Sequence, residues 1–425
     1  MTDTIFALSS GAPPAAIAVV RISGPQAGAA LTAMAGRQLP ERRAVTATLR
    51  DAKGEVLDRT LALWLPAPNT ATGEDTAELH CHGGRAVVAA VEAALAALPG
   101  LRRAEPGEFT RRGFANGRID LAEAEGLADL LTAETELQRR AAQAMAGGAF
   151  SRTVEGWREA VLELSAAVEA VLDFADEDDV ASLPPAFVDQ LQALEAELNI
   201  WLIRPRAEAL REGYRVVIAG PPNAGKSTLF NALVESEAAI TAPLAGTTRD
   251  VLTRPVALGG VPFLFADTAG LREGTSDSIE AIGIERAHGE VARADLVLWL
   301  GPESAGPAGG WEIEPQIDRP DHPAKQAPHH RISAFTGQGL EALRTALISA
   351  ARDALPKPGE AALNARQHRL LGEAAEALQQ ATQFSDPLLI AESLRLVRVS
   401  FDALLGRTTT EDMLDALFGR FCIGK

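Results

Sequence analysis

Apolar and polar positions follow four successive patterns along the chain. Residues 1–118 contain short β-type runs such as AAIAVVRISG and TAELHCHGG, and the second run leads into the helical RAVVAAVEAALAAL. Residues 119–211 carry alanine, leucine and glutamate at helical spacing. Residues 214–352 alternate strands with helices, and residues 353–425 are helical again before the terminal FCIGK. The patterns therefore predict an α/β multidomain protein.

The order of these segments predicts how the domains are organised. We expect an N-terminal α+β domain over residues 1–118 and an all-α helical domain built from residues 119–211 and 353–425. Residues 214–352 would form an inserted domain with a parallel-type sheet flanked by helices. Two separate helical domains are the alternative, because helical periodicity does not report which helices touch.

Composition narrows the classes of partner. The formal net charge of −17 argues against general affinity for nucleic acid, so any contact with RNA must be local. Short basic pairs lie at Arg102 and Arg103, Arg111 and Arg112, and Arg139 and Arg140. Ion pairs or solvated faces are the alternative explanation for such pairs.

Location is predicted from three features of the sequence. No apolar run approaches the roughly 20 residues of a membrane span, and the start MTDTIFALSS lacks the pattern of a signal peptide. The two cysteines, Cys81 and Cys422, lie far apart in sequence and fit a reducing compartment. We therefore expect a cytoplasmic protein with no membrane partner.

The segment YRVVIAGPPNAGKST, which begins at Tyr214, reads as strand, glycine loop and helix start. It contains G-x-x-x-x-G-K-S, a P-loop. Backbone N–H groups of such a loop face the phosphates, its lysine adds a point charge, and its serine hydroxyl can bind Mg²⁺. The nucleotide contacts predicted here are Asn223, Ala224, Gly225, Lys226, Ser227 and Thr228, with Lys226 also catalytic.

Two further motifs follow the P-loop in the order that a GTPase requires. AGTTRD ends at Asp250, and DTAG begins at Asp267, directly after the strand VPFLFA. Asp267 is placed to bind Mg²⁺ through water, and Thr248 can complete the metal shell. The remaining contacts predicted from these motifs are Thr247, Thr268, Ala269 and Gly270. Leu271 stands where Ras-like proteins place a water-orienting glutamine, so hydrolysis needs another polar group.

These motifs, together with TGEDTAELHCHGG, PGEFTRRGFANGRIDLAEAE and FCIGK, resemble the MnmE (TrmE) family over nearly the whole chain. The resemblance implies a K⁺-activated GTPase with a Ras-like inserted domain. With an FAD-dependent partner of the MnmG type, in a heterotetramer, it would add an aminomethyl or carboxymethylaminomethyl group to the 5-position of wobble uridine in tRNA. The one-carbon unit would come from a tetrahydrofolate derivative of the 5-formyl or methylene type. A homodimer through the N-terminal domain is also implied.

The resemblance further implies residues for ion binding and catalysis. K⁺ would take the place of an arginine finger, held by Asn223, by Thr247 and by backbone carbonyls at Ala242 and Leu244. Glu280 would bridge waters to the attacking water. On the residues alone, Glu280 reads as a solvated surface glutamate.

The guanine-reading motif departs from the family pattern N-K-x-D. The best match is Pro315–Asp318, in which only Asp318 survives, and Asp321 is a rival assignment. Ser333 and Ala334 match the last guanine loop of the family. The lost asparagine and lysine make GTP preference less secure, so an ATPase stays open as an alternative.

The family resemblance places a folate site in the N-terminal domain. Its residues would be Arg21, Glu78, Lys425 and Arg118, where the family usually has lysine. From the residues alone, Arg21 and Glu78 read as ordinary surface groups. Cys422 lies in the terminal tail, where its thiol is either reactive or structural.

A second class of function shares the GTPase motifs. A GTP-gated binding factor of the ribosome-assembly type would carry the P-loop and DTAG without modification chemistry. It gives no reason for a folate-type N-terminal domain or for FCIGK.

Overall fold

The computed structural model describes residues 3–173, 183–235, 252–267, 289–322, 324–408 and 410–425. The chain divides into two compact units, one formed by residues 1–128 with 402–425 and the other by residues 129–401. None of the helices within the described ranges is both long and apolar enough to cross a membrane.

The described residues form strands in residues 1–118 and 214–352 and helices in all four segments of the chain, in the order that the sequence predicts. The strands are β1 (Thr4–Leu8), β2 (Ile17–Ser23), β3 (Val45–Arg50), β4 (Val56–Leu65), β5 (Thr76–His82), β6 (Leu101–Arg103), β7 (Tyr214–Ala219), β8 (Leu252–Leu258), β9 (Val261–Asp267), β10 (Leu296–Trp299), β11 (Trp311–Glu314) and β12 (His330–Arg331). The helices are α1 (Ala27–Ala35), α2 (Arg85–Ala96), α3 (Glu108–Ala115), α4 (Leu121–Thr132), α5 (Glu136–Ala146), α6 (Ala149–Asp173), α7 (Phe187–Leu202), α8 (Ala207–Glu212), α9 (Lys226–Val234), α10 (Leu340–Ala354), α11 (Ala365–Gln383), α12 (Pro387–Leu405) and α13 (Glu411–Phe418).

The unit that contains the N-terminus is built on a sheet in the order β3-β4-β5-β2-β1-β6. Neighbouring strands are antiparallel, except that β6 runs parallel to β1. Leu31 of α1 and Leu95 of α2 join Val20, Ile22 and Leu79 of the strands in one buried cluster. This is the α+β domain that the sequence predicts.

The C-terminal tail belongs to the same unit. Phe418 and Phe421 pack with Leu121 of α4 in a small apolar cluster. Beyond it the chain forms an isolated antiparallel bridge between Pro106 and Ile423. The tail is therefore part of the folded N-terminal unit.

The other unit contains a second six-stranded sheet, in the order β12-β11-β10-β7-β9-β8. Its pairs are parallel, as predicted, except that the edge strand β8 is antiparallel to β9. Gly259 and Gly260 join these two strands in a tight turn, which only an antiparallel pair can use. Ile218, Phe265 and Leu298 form part of the buried core of this sheet.

Helices from before and after this sheet pack on one another. Helix α7 packs along α11, and the imidazole of His368 lies 3.1 Å from the carbonyl oxygen of Leu202. Trp157 of α6 packs on Phe401 of α12, with ring centroids 5.9 Å apart. These contacts favour one helical domain over two, and the exact domain boundaries stay a prediction.

We predict that Gly107→Ala lowers the midpoint of thermal unfolding by more than Gly117→Ala. Both glycines have positive φ, at +70° and +66°, so each substitution carries a backbone cost of roughly 1–2 kcal/mol. Only at Gly107 would the new Cβ also lie 2.2 Å from the Phe418 carbonyl oxygen, whereas the space at Gly117 is open. Thermal unfolding followed by circular dichroism measures the difference, and equal midpoints would contradict it.

Candidate functional site

The glycine loop joins strand β7 to helix α9, as its sequence predicts. Gly225 precedes α9 with a φ of +89°, in the left-handed region that favours glycine. A Cβ at this position would lie 3.3 Å from the side-chain nitrogen of Gln316. Lys226 is buried, and its ammonium donates to the carbonyl oxygen of Pro221 at 2.8 Å. Asn223, Ser227 and Thr228 are exposed, and Ala224 is partly buried.

Two of the oxygen groups predicted for Mg²⁺ lie together. The parallel register of β7 and β9 pairs Ile218 with Asp267, which brings that carboxylate to the start of the P-loop. The Ser227 hydroxyl donates to Asp267 Oδ2 at 2.8 Å, and Asp267 is only 1% exposed. Hydroxyl and carboxylate oxygens are the donors that Mg²⁺ prefers, so these residues fit the ion.

Several predicted site residues lie outside the described part of the chain. They are Ala242, Leu244, Thr247, Thr248, Thr268, Ala269, Gly270 and Glu280. Their assignments stay predictions.

The predicted base-reading groups meet where β11 and β12 end. Ser333 is fully buried, and a hydrogen bond from its hydroxyl lowers the pKa of Asp318 below its usual range. The N–H of Ile317 donates to the carbonyl oxygen of Ile332 at 3.3 Å, which joins the two loops. Ala334 follows Ser333 and is partly buried. Asp318 and Asp321 are both exposed, and the hydrogen bond from Ser333 favours Asp318 as the base reader.

The sequence did not predict the contacts that hold the loop around Asp318. Gln316 Nε2 donates to the carbonyl oxygen of Asn223 in the P-loop at 3.3 Å. Glu314 is 4% exposed and lies 2.9 Å from the His322 imidazole and 3.0 Å from the Arg331 guanidinium. These partners are 8 and 17 residues away in a segment without periodicity, so no sequence signal could have found them.

In the N-terminal unit, the structure brings two predicted folate residues together. Arg21 and Glu78 are cross-strand partners of β2 and β5, with Arg21 Nε donating to Glu78 Oε1 at 3.0 Å. The Arg21 guanidinium also lies 5.8 Å from the centre of the Phe109 ring. Arg118 is exposed just beyond α3.

The tail lies close to the start of the helix that carries Phe109. The N–H of Gly107 donates to the carbonyl oxygen of Cys422 at 3.5 Å, and the N–H of Lys425 donates to the same oxygen at 3.2 Å. The tail is thus hydrogen-bonded to Gly107, which lies two residues before Phe109, the residue whose ring contacts the Arg21 guanidinium.

The two thiols differ in their surroundings. Cys81 is 1% exposed, and burial raises the pKa of its thiol to about 11, so the reactive thiolate is scarce at neutral pH. Cys422 is exposed. A thiol reaction in solution would therefore favour Cys422.

The basic pairs are engaged in ion pairs, the alternative that the sequence left open. Arg112 is fully buried among carboxylates of Asp3, Glu74 and Glu108. The remaining pairs are Arg102 with Asp3 and Glu108, Arg103 with Glu92, Arg111 with Glu411 and Asp415, and both Arg139 and Arg140 with Glu136. These arginines do not form an unneutralised basic patch.

The pKa of His322 is predicted to lie above 6.5, because its ring nitrogens face two acceptors. Hydrogen bonds to the Arg319 carbonyl and to Glu314 raise this pKa. Burial would raise the pKa of Glu314, but hydrogen bonds from His322 and other donors outweigh burial and lower it. The contact between His322 and Glu314 therefore stabilises the folded loop at pH values above about 4.5, where Glu314 is ionised in the unfolded chain as well. This contribution is lost as the pH rises through the pKa of His322, because the imidazole then loses its charge.

An NMR titration of the His322 ring protons measures this pKa. We expect Glu314→Gln to lower the midpoint, whereas Glu303→Gln leaves it unchanged because Glu303 accepts from the N–H groups of Gln326 and Ala327 instead. A midpoint at or below 6.5 in the unmodified chain would contradict the prediction.

Comparison with known proteins adds to this geometry. A family model described as the MnmE helical domain matches residues 121–422, and one described as the GTP-binding protein TrmE N-terminus matches residues 4–118. The tRNA modification GTPase MnmE of Erythrobacter litoralis (strain HTCC2594) is 64% identical over 423 residues, and that of Novosphingobium aromaticivorans is 65% identical over 437 residues. Each alignment covers 100% of both chains. The chain belongs to the MnmE family of tRNA modification GTPases.

Proposed function

We propose that this chain is a K⁺-activated GTPase that modifies the 5-position of wobble uridine in tRNA with an FAD-dependent partner of the MnmG type. It would work as a homodimer through its N-terminal domain and use a one-carbon unit from a tetrahydrofolate derivative. The observation that carries the proposal is the contact between Ser227 of the P-loop and Asp267, because these two oxygen groups suit Mg²⁺.

The nucleotide part of the proposal rests on groups that suit charge stabilisation. The P-loop backbone and Lys226 would hold the phosphates, and Ser227 would bind Mg²⁺ directly with Asp267 acting through water. Mg²⁺, when bound, neutralises charge that develops on the phosphate oxygens. Asn223 is exposed on the same loop and can offer its amide oxygen to K⁺.

The one-carbon part of the proposal rests on the N-terminal unit. A carboxylate such as Glu78 can accept hydrogen bonds from an aminopyrimidine ring, and Arg21, Arg118 and Lys425 can pair with the folate carboxylates. The tail carries the exposed Cys422 beside Lys425, in the same unit as Arg21. This placement favours modification chemistry over a GTP-gated binding factor, which would have no use for such a tail.

We expect GTP hydrolysis by the purified chain to be faster in KCl than in NaCl at equal ionic strength. The stimulation should be on the order of 10-fold or more, because an arginine finger at the corresponding place contributes on the order of 10³ in rate. Asn223→Ala should abolish the stimulation by K⁺, whereas the neighbouring Pro222→Ala should retain it. Equal rates in both salts would contradict the K⁺ mechanism for this chain.

Asp318→Asn should exchange the base preference from GTP to xanthosine triphosphate. The carboxylate accepts hydrogen bonds from the guanine edge, whereas an amide can donate to the carbonyl that xanthine carries in place of the amino group. We expect GTP affinity to fall by at least about 100-fold. Competition binding with GTP, ATP and xanthosine triphosphate measures the change. The rival Asp321→Asn serves as the control, and an effect at Asp321 alone would reject Asp318 as the base reader.

A further inference from the structure

Phe335 is an unusually exposed aromatic residue that the proposed function does not use. It is 87% exposed, more than any other large apolar residue in the described part of the chain. Single exposed apolar residues are common on proteins and need no explanation by themselves. Phe335 differs because of the loop that carries it.

That loop is closed on both sides of Phe335 by hydrogen bonds to Ser333. The N–H of Ser333 donates to the Gln338 carbonyl oxygen at 2.9 Å, and the N–H of Gly337 donates to the Ser333 carbonyl oxygen at 2.9 Å. The N–H of Thr336 donates to the Ser333 hydroxyl at 3.1 Å. The turn therefore presents Phe335 at a defined position rather than on a loose segment.

The same Ser333 hydroxyl connects this turn to the base reader. It accepts from the backbone of Thr336 and is hydrogen-bonded to the carboxylate of Asp318. Phe335 lies only two residues from Ser333, so their Cα atoms are at most about 7 Å apart. The backbone that carries the exposed Phe335 ring is thus within about 7 Å of Ser333, the residue that contacts the proposed guanine reader.

Gln316 connects the loop that carries Asp318 to the P-loop. It lies two residues before Asp318 and donates to the Asn223 carbonyl of the P-loop. Its backbone has a positive φ of 58°, and Asn223 has one of 62°, so two residues hold an unfavourable conformation at the point of contact. The amide is a neutral donor where the N-K-x-D pattern carries a lysine.

We propose that the nucleotide base stacks on the ring of Phe335, in a slot whose register with the phosphates is set by Gln316. This inference rests on the proposed reading of guanine by Asp318. Aromatic rings stack on every base because each base has a π-face, so Phe335 contributes affinity and Asp318 contributes selection. The lost lysine is thereby replaced by two uncharged side chains with separate tasks.

The test measures GDP, inosine diphosphate and xanthosine diphosphate binding to the full chain by titration calorimetry. Phe335→Ala should weaken all three by a similar factor, roughly 5- to 100-fold, because stacking is tolerant of base identity. Phe335→Tyr keeps the ring and should restore binding to within about 2-fold of the original. Phe384→Ala removes another exposed phenylalanine and should change nothing.

The positioning role of Gln316 is tested by measuring the rate of GDP release after substitution with the isosteric glutamate. Gln316→Glu places a carboxylate against the Asn223 carbonyl and should speed GDP release, whereas Gln316→Lys restores a donor and should slow it again. Unchanged GDP affinity in Phe335→Ala, or no rescue by tyrosine, would overturn the stacking. Unchanged GDP release in Gln316→Glu would overturn the role of Gln316. If Asp318→Asn leaves the base preference unchanged while Phe335→Ala weakens binding, the assignment of Asp318 as the guanine reader is wrong, and the stacking of the base on Phe335 is supported.

Discussion

The parallel pairing of β7 with β9 is the constraint on which the nucleotide site depends. It sets Asp267 opposite Ile218, one strand away from the loop that carries Ser227. Side chains alternate between the two faces of a strand, so a slip of one residue would turn the Asp267 side chain to the other face of the sheet. The buried cluster around Phe263 and Phe265 prevents that slip, because their faces are fixed by the core. Packing therefore determines the position of the Asp267 carboxylate.

The parallel arrangement of the strands also brings the other site residues together. Parallel strands end at one edge of a sheet. Asp267 is the last residue of β9, and the P-loop, Asp318 and Ser333 follow β7, β11 and β12. The glycine- and proline-rich stretch between Gly301 and Pro328 is held to that edge by polar contacts. Lys325 is buried and donates to the Trp299 carbonyl at 3.0 Å and to Glu312. This glycine- and proline-rich stretch is thus held to β10 and β11 by the Lys325 side chain.

Local patterns explain which parts could be predicted. The P-loop can be predicted because its strand, glycines and helix are contiguous in sequence. The contact between Ser227 and Asp267 can be predicted because parallel strands place their carboxyl ends at the same edge of a sheet. The antiparallel β8 was missed, since its direction depends on a two-residue turn rather than on periodicity. Arg21 and Glu78 read as surface groups until the register of β2 with β5 made them cross-strand partners. Contacts such as Gln316 with Asn223 span 93 residues and leave no mark in local sequence.

In the C-terminal tail, the groups that hold the segment in place differ from the group that is available for chemistry. Its position is set by backbone contacts and by Phe418 and Phe421, which are buried against Leu121. Cys422 contributes its carbonyl oxygen to that docking, while its side chain stays exposed. A backbone carbonyl is common to every residue, so docking does not require cysteine at this place. The thiol is therefore held in position by its neighbours and is left available for a reaction, which favours the reactive over the structural interpretation of this residue.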